Sequence, residues 1–310
     1  MKDRTLFRVR NVPILRSQTR WRSMPLLAAR PLSSRVKPGT INTAHRTLVP
    51  NGLDGKRVAI FPGCMTENLY PAQGEAIVRV LRELGASVVY PQNLHCCGLP
   101  ALNSGDVRHG TWMARQTIKA LEAVQADFIV SGSASCVATL TQDYLHVFRH
   151  DPAWHQRAAA IGKKITDFTS LIDGVADLPA GALAHVEPRV IAYHDSCQGL
   201  NALDLHAAPR RILHDVLGHD VRDLRESRLC CGFGGSFSFE YPEISERLMT
   251  RKLNDVADTG ALEVVTDNQG CILQLRGGAD AQGRQIQVKH IAELMAEGID
   301  ATRRIARELG

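Results

Sequence analysis

The sequence has no apolar run approaching the ~18 residues that a membrane-spanning helix needs. A spanning protein is therefore excluded, while attachment to a membrane surface stays open. Aromatic residues are scarce, at 5% of 310 positions. That argues against a carbohydrate binder or a platform on which nucleic-acid bases stack. Acidic residues are nearly missing from positions 1–52, which hold eleven Lys or Arg and only Asp3. Positions 53–310 carry 26 basic and 31 acidic residues. The formal charge of +5 thus comes from the N-terminal segment. The body is mildly acidic and lacks the basic footprint of a nucleic-acid binder.

Residues 1–52 also lack the uninterrupted apolar core of a secretory signal. Their Arg- and Ser-rich composition resembles an organellar transit peptide. The competing reading is a disordered extension, with translation starting near Met24 or later. Either way the segment is expected outside the fold. The expected compartment is the cytoplasm, with import directed by residues 1–52 left open.

The eight cysteines carry the most information. Cys64, Cys96, Cys97 and Cys136 are followed by Cys197, Cys230, Cys231 and Cys271. The gaps are 31 and 38 intervening residues in the first set, then 32 and 39 in the second. Every cysteine of the chain thus falls into one internal repeat. Each adjacent pair is followed by a glycine, Gly98 or Gly232. Short apolar runs precede the first and last cysteine of each set: Val58–Phe61, Phe128–Val130, Val190–Tyr193 and Leu262–Val265. They read as strands. Ile77, Val80, Leu81 and Leu84 share a helical face that Gly85 ends. Ile212, Leu213, Val216 and Leu217 do the same before Gly218.

Strands alternating with helices imply an α/β fold with parallel sheets. The expectation is two repeated α/β subdomains with short parallel sheets. Their cysteine-bearing loops would gather at the carboxyl ends of the strands, where such sheets bind ligands. The expected boundaries are 1–52 for the extension, 53–180 for the first cysteine-rich unit and 181–310 for the second. Further helices are expected over 106–125, 154–172 and 241–257. Asp173–Pro188 reads as a linker, and 286–298 as a strand and a helix.

Three roles compete for the cysteines. Disulfides fit poorly, because no secretory signal is seen and adjacent cysteines pair only with distorted geometry. Buried structural thiols would suit one isolated cysteine, but these lie in glycine-rich loops at strand ends. Soft metal binding suits four converging thiolates, as zinc or as an iron–sulfur cluster. The CxxC knuckle of structural zinc is missing, which favours a larger object. Nucleotide fingerprints are missing too. Cys231-Gly-Phe-Gly-Gly-Ser-Phe237 has two glycines of a dinucleotide loop but Phe237 where the third is needed. That stretch reads instead as backbone room, with N–H groups such as that of Gly232, and of Gly98 in the first set, facing sulfur.

The doubled pattern resembles the cysteine-rich CCG domain found in heterodisulfide reductase and in the iron–sulfur subunit of glycolate oxidase. It is most similar to the lactate utilisation protein A family. The resembling segments are Phe61-Pro-Gly-Cys64, His95-Cys-Cys-Gly-Leu-Pro-Ala101, Ser131-Gly-Ser-Ala-Ser-Cys136, His194-Asp-Ser-Cys197, Cys230-Cys-Gly-Phe-Gly-Gly-Ser-Phe237 and Gly270-Cys271. Val288-Lys-His-Ile-Ala-Glu293 fits too. The resemblance implies an iron–sulfur subunit relaying electrons from L-lactate or a similar 2-hydroxy acid. It implies one or two clusters of the 4Fe–4S kind held by the eight cysteines, with zinc at one site as the alternative. Its partners would be a ferredoxin-like iron–sulfur protein and a third small subunit. A thiol–disulfide reductase subunit and a zinc-stabilised assembly subunit are the competing functions.

The full family pattern ends each unit with CxxC, giving five thiols. Here Ser133 and Asn268 stand at the first of those positions, so each unit has four thiols, and an oxygen ligand from either residue stays open. His95 and His194 adjoin the cysteines. They are read first as hydrogen-bonding loop supports, then as proton carriers or extra ligands. Asp195 and Asp267 are expected to cap loops or helices. Arg276, Lys289 and His290 are expected on a solvated face rather than at a substrate carboxylate, and Arg210 and Arg211 on a solvated helix surface.

Overall fold

The computed structural model describes residues 6–7, 20–36, 39–41, 52–183 and 187–308. In chain order the strands are β1 (Leu6–Phe7), β2 (Met24–Pro25), β3 (Gly39–Ile41), β4 (Arg57–Ile60), β5 (Ser87–Tyr90), β6 (Phe128–Ser131), β7 (Ile165–Asp167), β8 (Val190–Tyr193), β9 (Asp220–Asp223), β10 (Glu263–Thr266) and β11 (Gln287–His290). One sheet runs β3-β5-β4-β6-β7, parallel except for the antiparallel edge strand β3. The other runs β11-β10-β8-β9 and is wholly parallel. The strand order within each half is second, first, third, fourth. The winding therefore reverses between β4 and β6, and again between β8 and β10. Such reversals open a crevice at the carboxyl ends of those strands.

Local chemistry builds these elements as the sequence implies. The helix Pro71–Glu83 starts with proline, buries Ile77, Val80 and Leu81, and is ended by Gly85 at φ +93°. Its counterpart Ala207–Arg211 continues through a wide turn, Ile212–Val216, and ends before Gly218 at φ +72°. Both glycines hold the left-handed conformation that stops a helix cheaply. The helices over 106–125 and 241–257 are found at Val107–Glu122 and Pro242–Asp258.

The single helix expected over 154–172 is not formed. The helix Pro152–Gly162 is capped by Asp151, which accepts from the Trp154 N–H. The chain then enters β7, where Ile165 pairs with Ile129. A new helix, Phe168–Leu171, follows under Asp167, which accepts from the Ser170 N–H at 2.7 Å. A non-local ladder overrode a helix-compatible stretch. The repeat thereby extends one strand past its last cysteine, since β11 follows Cys271 in the same way. The expected linker is partly packed, with Ala176 and Leu183 in the core; residues 184–186 lie outside the described residues.

The N-terminal segment was expected outside the fold, yet residues 20–36 pack on it. Trp21, Leu32 and Val36 are buried, and the Ser23 N–H donates to the Gly277 carbonyl at 2.9 Å. The rest of residues 1–52, apart from Leu6, Phe7, the strand 39–41 and Gly52, lies outside the described residues.

The two halves share one core. Val58, Ile60, Ile77 and Leu81 join Ile191, Tyr193, Ile212 and Leu213 in a single apolar cluster. The final helix, Ile291–Glu308, leaves the second half and packs along Pro71–Glu83 of the first. It buries Ile291, Leu294, Met295 and Ile299 there, each worth roughly 1.5–3 kcal/mol. Arg79–Asp300 and Arg303–Glu83 ion pairs flank that seam. Conversely, Phe168–Ala176 of the first half packs on the Ala207–Val216 stretch of the second. No helix among the described residues is long and apolar enough to cross a membrane.

Candidate metal centres

Four of the cysteines sit where the reversal of strand order opens each sheet. Cys64 and Cys197 lie on the helices after β4 and β8, and Cys136 and Cys271 on those after β6 and β10. The adjacent pairs lie on loops that follow β5 and β9. All eight are free. In the first half, Cys64 and Cys96 sulfurs are 3.7 Å apart, and Cys97 hydrogen-bonds both Cys136 and Cys96. In the second, Cys231 and Cys271 sulfurs are 3.2 Å apart, and Cys230 hydrogen-bonds Cys197 and Cys231. All eight cysteines line one cavity of about 250 Å³ between the halves.

Glycine makes this convergence sterically feasible. Gly63 has φ +69°, and a Cβ there would stand 3.0 Å from Cys136 Sγ. Gly232 has φ +86°, and a Cβ would meet the Ser245 carbonyl at 2.7 Å. Its N–H donates to Cys230 Sγ at 3.3 Å. The Gly98 N–H does the same for Cys96.

The electrostatics mark a thiolate in each set. Hydrogen bonds from Cys64 and Cys97 hold Cys96 down at about 3. Those from Cys197 and Cys231 hold Cys230 at about 2. The donors Cys64 and Cys197 are pushed up by the same contacts and by burial. Cys271 is brought to about 6 by the Cys231 hydrogen bond, against its burial. Thiolates at low pKa are the metal-binding form of cysteine.

The other sequence-predicted residues fall into several places. His194 is fully buried, and its ring lies within 4.8 Å of the Cys231 and Cys271 sulfurs. Neither ring nitrogen has an oxygen or nitrogen partner among the described residues. What the ring meets is sulfur, and its contact with Cys271 helps to hold that thiol down. His95 stands apart from the cavity, stacked on Trp112 at 5.5 Å. It lines a separate pocket beside Cys64 and Cys96. Ser133 and Asn268 both line the cavity. Ser133 Oγ lies 3.0 Å from Ser135 Oγ, and Asn268 Oδ1 caps its helix by accepting from the Gly270 N–H at 3.0 Å.

Several expectations are corrected. Asp195 caps nothing: its buried carboxylate takes both arms of Arg210 at 2.9 Å. Burial would raise Asp195, yet Arg210 holds it below the usual carboxylate range. Arg210 is thus an inward partner, not a solvated surface residue, whereas Arg211 is half exposed and pairs with Asp173. Asp267 accepts from Tyr193 Oη at 3.0 Å and Ser196 Oγ at 2.9 Å. Burial, then the charge of Asp167, push it up to about 7. The helix cap there is Ser196, which accepts from the Gly199 N–H. His290 is fully buried rather than solvated, donating from Nε2 to the Gly132 carbonyl at 2.7 Å. Lys289 bridges Glu263 and Glu297, and Arg276 donates to the Val288 carbonyl and lies over Tyr70.

Sequence reasoning missed two residues that pack on the cysteine loops. Tyr144 Oη donates to the Cys97 carbonyl at 2.9 Å. Arg22, from the N-terminal segment, is fully buried against Phe233 of the Cys-Cys-Gly-Phe loop. No local pattern distinguishes Arg22 from the other arginines near it. Eight uncrosslinked sulfurs around one cavity, with backbone N–H groups aimed at two of them, fit soft-metal or iron–sulfur binding.

Comparison with known proteins identifies the family. The family model of the cysteine-rich CCG domain matches twice, over residues 58–141 and 191–276. Lactate utilization protein A of Exiguobacterium sp. is 35% identical over 243 residues, spanning 78% of this chain and 98% of that one. The protein of the same name from Bacillus cereus is 35% identical over 240 residues, or 77% and 98% of the two chains. A probable glycolate oxidase iron–sulfur subunit of Bacillus subtilis is 33% identical over 244 residues, and the chain spans 54% of its length. A hypothetical protein of Helicobacter pylori with a solved structure shares the fold, at TM-score 0.55 and 11% identity, over 83% of this chain and 51% of that one. With both cysteine sets inside the matched residues, the chain belongs to the cysteine-rich CCG domain family, alongside the lactate utilization A proteins.

Proposed function

We propose that the chain is the iron–sulfur subunit of a complex that oxidises a 2-hydroxy acid such as L-lactate. The observation that carries this reading is the single cavity lined by all eight cysteines, in a chain whose relatives are named for lactate utilization and for a glycolate oxidase iron–sulfur subunit. Cys64, Cys96, Cys97 and Cys136 would hold one cluster, and Cys197, Cys230, Cys231 and Cys271 a second, each of the 4Fe–4S kind. Such a cluster, when bound, accepts and releases single electrons. The chain's own residues supply the rest. Gly98 and Gly232 direct N–H groups to sulfur and so spread its charge. Phe61 is fully buried among Cys97, Cys136 and Val137, which keeps water from that side. Leu99, Met65 and Phe233 line the cavity itself.

Oxidation of a 2-hydroxy acid releases two electrons and two protons. No nucleotide or flavin motif is seen in this sequence, so we assign the substrate chemistry to a partner and the electron relay to this chain. The partners in this reading are a ferredoxin-like iron–sulfur protein and a third small subunit. The test is iron, acid-labile sulfide and zinc per chain after anaerobic purification, with a visible spectrum before and after dithionite. Iron and sulfide in similar, multiple amounts with a bleachable band would sustain the reading. Zinc without sulfide would remove it. L-lactate should then bleach the band only when the partner subunits are present.

A further inference from the structure

The two halves are built alike, but their cysteine sets are not equally surrounded. Phe61 and His194 follow β4 and β8 and occupy the same place. Phe61 donates its backbone N–H to the Val130 carbonyl at 2.8 Å, and His194 donates its own to the Val265 carbonyl at 2.9 Å. In the first half that place holds a phenyl ring packed with Ile118, Leu140 and Tyr144. In the second it holds a fully buried imidazole with the Cys231 and Cys271 sulfurs within 4.8 Å. Neither of its nitrogens meets an oxygen or another nitrogen among the described residues. A buried polar group without a partner costs about 1–3 kcal/mol, so an imidazole here is out of place unless it serves the sulfur site.

A second group points the same way. The Arg22 guanidinium is fully buried, stacked over Trp21 at 4.6 Å and Phe239 at 5.1 Å. It donates to Gln274 Oε1 and to Ser238 Oγ, the latter at 3.0 Å. No carboxylate pairs with it among the described residues. Burial lowers its pKa to about 10, which still leaves it protonated at neutral pH. The guanidinium lies 5.8 Å from the ring of Phe233, two residues after Cys231 on the same loop. The nearby buried Lys252 ammonium is already paired, with Asp255 at 3.9 Å and the Glu226 carbonyl, so Arg22 is the cation on this side that no carboxylate pairs among the described residues. The acids on this side are offset: Asp195 is bound by Arg210, Asp255 pairs with Lys252 and accepts the Arg225 and Glu226 N–H groups, and Asp267 accepts two hydrogen bonds in a burial that favours its neutral form.

We infer that His194 and Arg22 are positioning residues that make the second cysteine set the stronger electron holder of the two. This rests on the proposal that both sets carry iron–sulfur clusters. A cation and a hydrogen-bond donor in a low-dielectric site stabilise added negative charge, which raises a reduction potential. The first set has a phenyl ring in place of the imidazole. The N-terminal segment thus completes the second site, and does so through Arg22.

The test is a mediated redox titration of the anaerobic full chain, followed by electron paramagnetic resonance. Cys97→Ser and Cys231→Ser assign each signal to its half. The second site should reduce at the higher potential. His194→Phe, which copies the first half's own residue, and Arg22→Met should each lower that potential and leave the first unchanged. Arg22→Lys should retain it. Phe61→His should raise the first site's potential, a gain that general misfolding does not mimic. A first site that reduces before the second would overturn the inference. So would a potential indifferent to both His194→Phe and Arg22→Met. Iron and sulfide present in normal amount in those cases would leave the proposed function intact. Absence of iron and sulfide from the wild-type chain would sink the proposed function and the ordering with it.

Discussion

His290 of the second half donates its Nε2 hydrogen to the Gly132 carbonyl of the first at 2.7 Å, while its Nδ1 accepts the Ala292 N–H at 3.1 Å. The two partners require the neutral ring, and complete burial lowers its pKa to about 4. The folded protein therefore binds fewer protons than the unfolded chain between pH ~6.5 and about 4. The stability this gives is full above pH ~6.5 and is lost as pH falls toward 4, about 3 kcal/mol in all. His290→Gln should remove that slope. Urea midpoints of both proteins between pH 4 and 7 measure it; parallel curves would refute the assignment.

The two halves should lose their metal separately. Cys97 and Cys231 are buried at the centre of their sets. Cys97→Ser or Cys231→Ser should each lower iron and labile sulfide by about half, since a hydroxyl is a poor soft-metal ligand. The double variant should lose nearly all. Elemental analysis of anaerobic protein decides this, and full iron in both single variants would remove these residues from the ligand set.

Gly63→Ala should damage the first site alone. The φ of +69° is strained for any side chain, and the new Cβ would press on Cys136 Sγ at 3.0 Å. A cost of about 1–3 kcal/mol is expected. Thermal unfolding and iron content read the result together. Unchanged values in both would show that the loop yields without penalty.

The Asp195–Arg210 pair should behave as a buried ion pair. Asp195 has a side chain with no exposure, and Arg210 only 17%. Arg210→Ala leaves the buried carboxylate facing only the exposed His206 ring at 3.4 Å and should destabilise the protein by about 3 kcal/mol. Asp195→Asn in the same background should recover much of that loss. Denaturant unfolding of the wild type and the three variants completes the cycle; additive losses would argue against coupling.

Much of this architecture was legible in the residues. The strands around Cys64, Cys136, Cys197 and Cys271 were marked by short apolar runs, and their helices by one-faced periodicity ended at Gly85 and Gly218. These signals are local, since period and helix-stopping glycine act within a few residues. The repeat of the cysteines also identified the candidate ligands before any contact was known. The 154–172 segment misled because helix-compatible residues at Ile165 and Thr166 were drawn into a ladder with β6, a partner more than thirty residues away.

The sequence by itself determined that there are two equivalent α/β units, each with four thiols at strand ends. Only the tertiary structure decided that both sets open on one cavity, that Arg210 turns inward to Asp195, and that Arg22, from a segment expected outside the fold, packs on Phe233 of the Cys-Cys-Gly-Phe loop. The reason is physical. Burial and charge pairing join residues far apart in the chain: Arg22 meets Gln274 across 252 positions and His290 meets Gly132 across 158. No local pattern records such meetings; they exist only once the two cores have closed on each other.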